Sequence, residues 1–320
     1  MDQTATAAAV QAGLKSRKKK SKYIVHAPLL IMMIPGLLYL LLTKYLPMVG
    51  IVIAFKKVNF AKGFFGSEWV GLANFEYLFK TSDAFIITRN TILYNLVFIV
   101  VGTILSLACA ILLNEIKNKV LAKAYQSIIT LPHLISMVIV SYLVYAMLSP
   151  ETGFMNNTVL PWLGMKDISW YSEDKYWPVI LTVVHFWKDV GYSSIVFFAA
   201  LLGIDEEYYE AARLDGASRL QQIFHITLPI LTPVIIMLTL LAVGRIFYSD
   251  FGLFYQIPMN SGALFNTTAT IDTYVFRGLM GSGDIGMSTA AGVYQSIVGF
   301  LLVILANYSV RLYNKDNALF

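Results

Sequence analysis

Chemistry needs side chains with charge, protons or lone pairs placed where they can act, and this sequence puts such groups in three kinds of place. His26, His133, His185 and His225 each stand alone on their segment, without the H-E-x-x-H type of spacing that gathers metal ligands, so packing or interfacial roles are expected. Gly281-Ser282-Gly283-Asp284-Ile285-Gly286 has the glycine spacing of a dinucleotide loop and, with Met287-Ser288, nearly that of a P-loop. No parallel-sheet unit precedes it, and Met287 stands where a P-loop needs its phosphate-contacting lysine, so nucleotide binding is not expected. No G-x-S-x-G elbow or paired-carboxylate site supplies a nucleophile, and neither catalysis, a metal nor a cofactor is expected of this chain.

The third kind of place is inside long apolar runs, where a charge or an amide is costly unless it faces a cavity or a partner. Asn95, Tyr142 and Tyr145 stand on the second and third runs, and His185, Trp187, Lys188, Asp189, Tyr192 and Ser193 on the fourth. Arg245 and Tyr248 stand on the fifth, Tyr294 and Gln295 on the sixth. Aromatic faces beside amides and hydroxyls suit a sugar ring, which has apolar faces and a polar rim, so these residues are candidates for a solute pathway. Hydrogen bonding between helices of a bundle is the alternative for each of them.

The elements that must position these groups follow from composition. Of 320 residues 57% are hydrophobic and only 13% charged, with mean hydropathy +0.65, against about 25% charged in soluble domains. This is an all-α integral membrane protein. Runs long enough to cross about 30 Å of hydrocarbon lie near 28–53, 91–113, 124–148, 178–202, 226–248 and 288–312, which predicts six spans. Pro132, Pro229 and Pro233 should free backbone carbonyls and loosen their helices. Cys109 is the one cysteine, so no intrachain disulfide forms.

Ahead of the first run stand Lys15, Arg17, Lys18, Lys19, Lys20 and Lys22 in a segment, 1–22, that is expected to be disordered. A basic cluster beside a span holds the N-terminus in the cytoplasm and can sit on anionic lipid, so no nucleic-acid partner is implied. With six spans the C-terminus is cytoplasmic as well, and so is the polar segment after the fourth run. The loop before the second run, with Lys56, Lys57, Lys62, Lys80 and Arg89, is more basic than an external loop usually is.

That polar segment, 203–229, carries its own start and stop signals. Asp205 can cap a helix whose first turn holds Glu206 and Glu207, with Ile204 and Tyr209 at hydrophobic-staple spacing. Gly216 can end it in the left-handed conformation, and Ser218 with Gln221 has the capping-box pattern of a second helix. Ala211, Ala212 and Ala217 keep the faces near the turn small, so another protein's surface can approach the backbone closely.

Glu210-Ala211-Ala212, then Gly216 after three residues ending in Asp215, then nine more and Ile226-x-Leu228-Pro229, resemble the EAA loop of ABC importer permeases. In that family the loop is the cytoplasmic coupling element that docks on an ATPase. Looser likenesses to the sugar-type permeases lie in Gly71-Leu72 with Asn74-Phe75, Asn74 being placed to cap a short helix, and in Asp272-Thr273-Tyr274, Arg277, Asp284 and Gly286. The likeness covers 28–315.

The resemblance implies the type I ABC importer transmembrane fold over 23–320, with the coupling loop at 203–229. It implies a permease subunit of the maltose-type carbohydrate group, similar to those for complex oligosaccharides in Gram-positive bacteria, multi-pass in the bacterial cell membrane. The implied partners are a second, similar permease, two ATPase copies and an extracellular solute-binding lipoprotein that delivers an oligosaccharide. ATP-driven alternating access is the implied mechanism. A permease for another solute, such as glycerol phosphate or an amino acid, would keep the loop and change the cavity; a secondary transporter should show an inverted repeat, and none is found.

Lys188 and Arg245 add a constraint on cargo, because a cation at such depth needs an acidic partner in the bundle or an anionic ligand. Asp189 is next to Lys188 in sequence and points elsewhere on the helix. Acidic oligosaccharides, such as uronic-acid fragments of pectin, are therefore an expectation, alongside pairing with carboxylates of the second permease or a lipid interface.

Overall fold

The computed structural model describes residues 22–282 and 284–313, so the predicted disordered tail lies outside the described residues except for Lys22, which opens the first helix. Four helices are long and apolar enough to cross a membrane: Pro28–Phe55, Ser82–Asn114, Arg219–Val243 and Ile285–Leu312. Two bent pairs, Lys119–Leu134 with Met137–Leu148 and Asp174–Leu201 with Glu206–Leu214, bring the number to six if each pair is one span. The expected count therefore holds only on that condition.

The chain divides at Val52 into two compact units. In the first, α1 (Lys22–Leu40) loosens at Leu41–Tyr45 into a π-helical turn ahead of Pro47. Its large apolar side chains from Leu29 to Val49 are exposed all round, as suits a helix whose solvent is hydrocarbon.

The second unit opens on a two-residue antiparallel ladder, β1 (Lys56–Lys57) with β2 (Glu68–Trp69), followed by the surface helix α2 (Ala73–Lys80). Asn74 does not cap α2, whose N-cap is Leu72 with no side-chain bond. Its amide instead donates to the carbonyls of Ala54 (2.8 Å) and Lys56 (3.1 Å), beside the short ladder. Gly286 completes this joint, since a Cβ there would lie 2.8 Å from the Asn74 amide.

The long helices are α3 (Ser82–Asn114), α4 (Lys119–Leu134), α5 (Met137–Leu148) and α6 (Trp177–Leu201). The short helices α7 (Glu206–Leu214) and α8 (Arg219–Gln222) precede α9 (Leu228–Val243); α10 (Ile271–Arg277) and α11 (Ile285–Tyr313) complete the chain. The run 124–148 is not one straight helix. It breaks between Leu134 and Met137 with a bend of 92°. Asn118 caps α4 and Ser136 caps α5, so each half has its own start signal.

Packing is layered along α3 and α6. Tyr94, Val140, Trp177, Leu181, Leu253 and Phe254 join α3, α5, α6 and a π-helical turn at Gly252–Gln256. Ala110, Phe197, Leu201 and Leu231 join the other ends of α3 and α6 to α9. Leu78, Ile87, Phe247, Ile271 and Ala291 seat α2, α10 and α11 on the start of α3. Between apolar helices in lipid there is little hydrophobic driving force, so close van der Waals fit and small residues must hold them. Gly191 of α6 is such a contact, flush against the Ile129 backbone of α4.

Candidate functional site

The segment 203–229 folds as its caps dictate. The Asp205 carboxylate accepts from the Glu207 amide (3.1 Å) at the start of α7, where Glu206 and Glu207 face the positive end of the helix dipole. At the other end Gly216 has φ +79°, the Gly216 amide donates to Arg213 O (3.1 Å) and the Ala217 amide to Ala212 O (2.9 Å). These two bonds make a Schellman turn, which only a residue at ease in the left-handed region closes without strain. Ser218 and Gln221 form the full capping box of α8. A π-helical turn at Ile223–Thr227 then leads into α9 just ahead of Pro229, and α8, the turn and α9 run on as one helix, Arg219–Val243.

Two polar links tie this pair to the spans, and a third bond closes its own turn. Arg219 Nη1 meets Glu115 Oε2 at 2.5 Å just past the end of α3. The Tyr209 hydroxyl lies 2.9 Å from Thr227 Oγ1, and the buried Gln222 amide donates to Ala217 O (2.9 Å). Glu115, Lys117, Arg213 and Arg219 border a cavity of about 680 Å3 behind the pair. Outward, Glu210, Ala211, Asp215 and Gly216 are exposed, Ala212 and Leu228 half-buried and Pro229 exposed. The sequence reading missed Leu214 at the tip, 89% exposed, and Tyr208. An unpartnered leucine beside the terminating glycine was the available signal.

The polar groups of the spans fall into distinct environments. Gln295 is buried, its amide donating to Phe247 O (2.6 Å) and Asp272 Oδ2 (3.1 Å). Asp272 Oδ2 also accepts from the Ser249 amide (2.7 Å) and hydroxyl (2.8 Å). From the other side the Asn95 amide reaches Tyr248 O (3.1 Å) and Thr91 O (2.8 Å). Asn95, Gln295 and Asp272 thus clamp the backbone at 247–249, just beyond the end of α9. Tyr294 packs between Phe79 and Phe247 with its hydroxyl 3.3 Å from Thr88. Gln295 and Tyr294 work inside the bundle.

Lys188 corrects the expectation that its charge needs an acid or an anion. It is buried, and its ammonium donates to the carbonyls of Pro132 (3.3 Å), His133 (2.8 Å) and Ile135 (2.5 Å) at the break after α4. Asp189 meets the same turn from its other oxygen-rich side, with His133 Nδ1 at 2.9 Å. His185 Nδ1 lies 3.2 Å from Asp189 Oδ2 but out of line for a hydrogen bond, its ring stacked 3.7 Å from Phe98. Tyr192 stacks on His133 at 4.1 Å. His185, Asp189, Tyr192 and Ser193 line a cavity of about 340 Å3 with Thr103 and Ser106 of α3.

Tyr142 and Tyr145 on α5, Trp187, Arg245 and Tyr248 remain exposed. Arg245 has no hydrogen bond or ion pair from its side chain among the described residues, while its carbonyl accepts from the Tyr248 amide (2.8 Å) in the clamped turn. Among the described residues no group of three or more His, Cys, Asp or Glu is placed to hold a metal. Outside the spans, Arg277 stacks 4.0 Å from the Phe265 ring, and burial lowers its pKa. Burial likewise raises the Tyr274 hydroxyl to about 12.

Residues 102–315 match the family model of the binding-protein-dependent transport system inner membrane component. Protein LplB of Bacillus subtilis is 36% identical, covering 90% of each chain. The polygalacturonan/rhamnogalacturonan transport system permease protein YteP of Bacillus subtilis is 34% identical over 98% of each. A chain of a bacterial ABC transporter involved in the import of the acidic polysaccharide alginate superposes with TM-score 0.83 and 31% identity, covering 91% of this chain and 98% of that one.

Proposed function

Because the chain belongs to the family of binding-protein-dependent transport system inner membrane components, we propose that it is one permease subunit of an ABC importer for acidic oligosaccharides, with Arg245 meeting the cargo's carboxylates. The observation that carries the charge preference is the exposed guanidinium of Arg245, without a partner among the described residues and held at the rim of the clamped 247–249 turn. The sequence reading put Arg245 within the fifth run, but it stands two residues past the end of α9, in a turn, where an exposed guanidinium can stay hydrated and still meet an anion. Guanidinium pairs with a carboxylate in two parallel hydrogen bonds, which a neutral sugar does not offer. Exposed Tyr142, Tyr145, Trp187 and Tyr248 supply faces for sugar rings. The names of the relatives, polygalacturonan and alginate among them, support the same class of cargo.

The chain works with a second permease, two ATPase copies that dock on α7 and α8, and an external binding protein; a structure of the alginate transporter includes its periplasmic protein bound to a pentasaccharide. ATP hydrolysis belongs to the partner subunits. Closure of the ATPases draws the coupling helices together and opens the cavity outward, and hydrolysis resets it.

The test is uptake in cells carrying the whole complex, comparing an acidic and a neutral oligosaccharide of equal length. Arg245→Gln should raise the half-saturating concentration of the acidic sugar by about 10- to 100-fold, the worth of a charged hydrogen bond, and leave the neutral one unchanged. Equal effects on both sugars, or none, would remove Arg245 from this role. If the binding protein retains glycerol phosphate and no oligosaccharide, the cargo class itself is wrong.

A further inference from the structure

The 92° bend between α4 and α5 poses a problem that one side chain solves. The last carbonyls of a helix have no partner within it, and in hydrocarbon each must find one. At this bend the Ile135 amide takes Pro132 O at 3.2 Å, and Lys188 of α6 reaches further carbonyls of the same turn. An ammonium has three N–H donors, and Lys188 places them on three carbonyls, those of Pro132, His133 and Ile135. Its positive charge also sits at the negative end of the α4 dipole.

The neighbours of Lys188 secure the same joint. Asp189 holds His133, and Gly191 lets the two backbones meet at Ile129, where no Cβ fits. Residues 188, 189 and 191 of α6 therefore grip 129–135 of α4. Toward one end, α6 runs to Leu201 and, four residues on, enters the coupling helices at Asp205. Across the bend, α5 carries the exposed Tyr142 and Tyr145, and its first residue, Met137, packs on Gly252.

A straight helix through 134–137 would satisfy those carbonyls with the amides four residues on and leave Lys188 without acceptors. The bent arrangement uses Lys188 for the carbonyls and Ser136 to cap the Ile139 amide. Lys188 therefore favours the bent geometry, in which its three donors have acceptors.

We propose that Lys188 is a positioning residue of the transport cycle: by capping the broken helix it makes the elbow move with α6, so that displacement of the coupling helices reaches Tyr142 and Tyr145. This rests on the importer reading above. It differs from that reading in predicting no distinction between cargoes, because all three donors of Lys188 are spent on backbone carbonyls.

The experiment uses the complete complex in proteoliposomes with its binding protein, measuring sugar imported per ATP hydrolysed, and spin labels at Gln126 and Met147 to report the elbow. Lys188→Met should keep ATP hydrolysis, lower sugar per ATP about tenfold, equally for acidic and neutral oligosaccharides, and change the label distance. Lys188→Arg, which keeps the donors, should recover most of the ratio and the distance. Ser136→Ala weakens the bend from its other side and should lower the ratio in the same direction by about two- to fivefold. A Lys188→Met complex with an unchanged ratio overturns the proposal. So does a loss confined to the acidic sugar, which would make Lys188 a cargo ligand and leave the importer reading standing. If Lys188→Met does not assemble, Ser136→Ala decides: an unchanged ratio there removes the elbow from the cycle.

Discussion

A Cβ built on Gly191 would lie 1.8 Å from the Ile129 carbonyl oxygen, whereas one on Gly102 would lie 3.6 Å from the edge of Phe186. The first clashes with backbone, which cannot rotate away; the second makes an ordinary contact with a ring. Gly191→Ala should therefore force α4 from α6 at a cost of at least about 1–3 kcal/mol, the usual range for overpacking. Gly102→Ala should stay within about 0.5 kcal/mol. Thermal unfolding of the purified complex in detergent separates them, and equal midpoints would refute the contact. Neither glycine stands out in the sequence, because tolerance is set by a backbone more than sixty residues away in the chain. The same blindness affected Lys188: its acceptors are carbonyls 53–56 residues distant, which leave no mark on residue type. A sequence shows that a buried cation needs a partner and is silent when the partner is backbone.

At the scale of elements, what was legible was what is local. The helices flanking Gly216 could be read from Asp205, Ser218 and Gln221 because caps act within three residues. The elbow after α4 was legible only as a loosening at Pro132, since its sharp bend depends on Ser136 and on Lys188, far away in the chain. Space around Gly216 is open, so substitutions there cost backbone strain alone. Gly216→Val should impose about 1–2 kcal/mol and misalign α7 with α8, while Gly216→Asn, tolerated in the left-handed region, should not. The readout is ATP-driven uptake with normal membrane insertion, and wild-type uptake by the valine variant would refute a rigid coupler. Leu214→Asp puts a charge at the exposed tip, where burial against a partner leaves it unpaired. The ATPase should copurify at least about tenfold less. Ion pairing between Glu115 and Arg219, both partly exposed, contributes no more than about 1 kcal/mol, so its charge-swapped double variant should assemble normally.

At the scale of the whole molecule, hydropathy located the apolar material and misjudged its geometry, because it measures which residues suit lipid and not whether one helix carries them through. Sidedness is the remaining global property, and the expectation of a cytoplasmic N-terminus and α7 rests on the basic tail at Lys15–Lys22 and on the proposed docking of an ATPase at α7. Cys109 is the one cysteine, which makes the property testable after Cys109→Ala. Trp162, 84% exposed between α5 and α6, should then react as Trp162→Cys with a membrane-impermeant maleimide in intact cells. Leu214→Cys should be inert in those cells and react in inside-out vesicles stripped of ATPase. The two positions are separated by α6, whose 25 residues at 1.5 Å each are long enough to cross about 30 Å of hydrocarbon, so one passage of the membrane is expected between them. Labelling of both from the outside would break that passage and, with it, the docking of an ATPase on α7. Labelling of Leu214→Cys alone from the outside would invert the chain and place the coupling loop where no ATP is available to drive it.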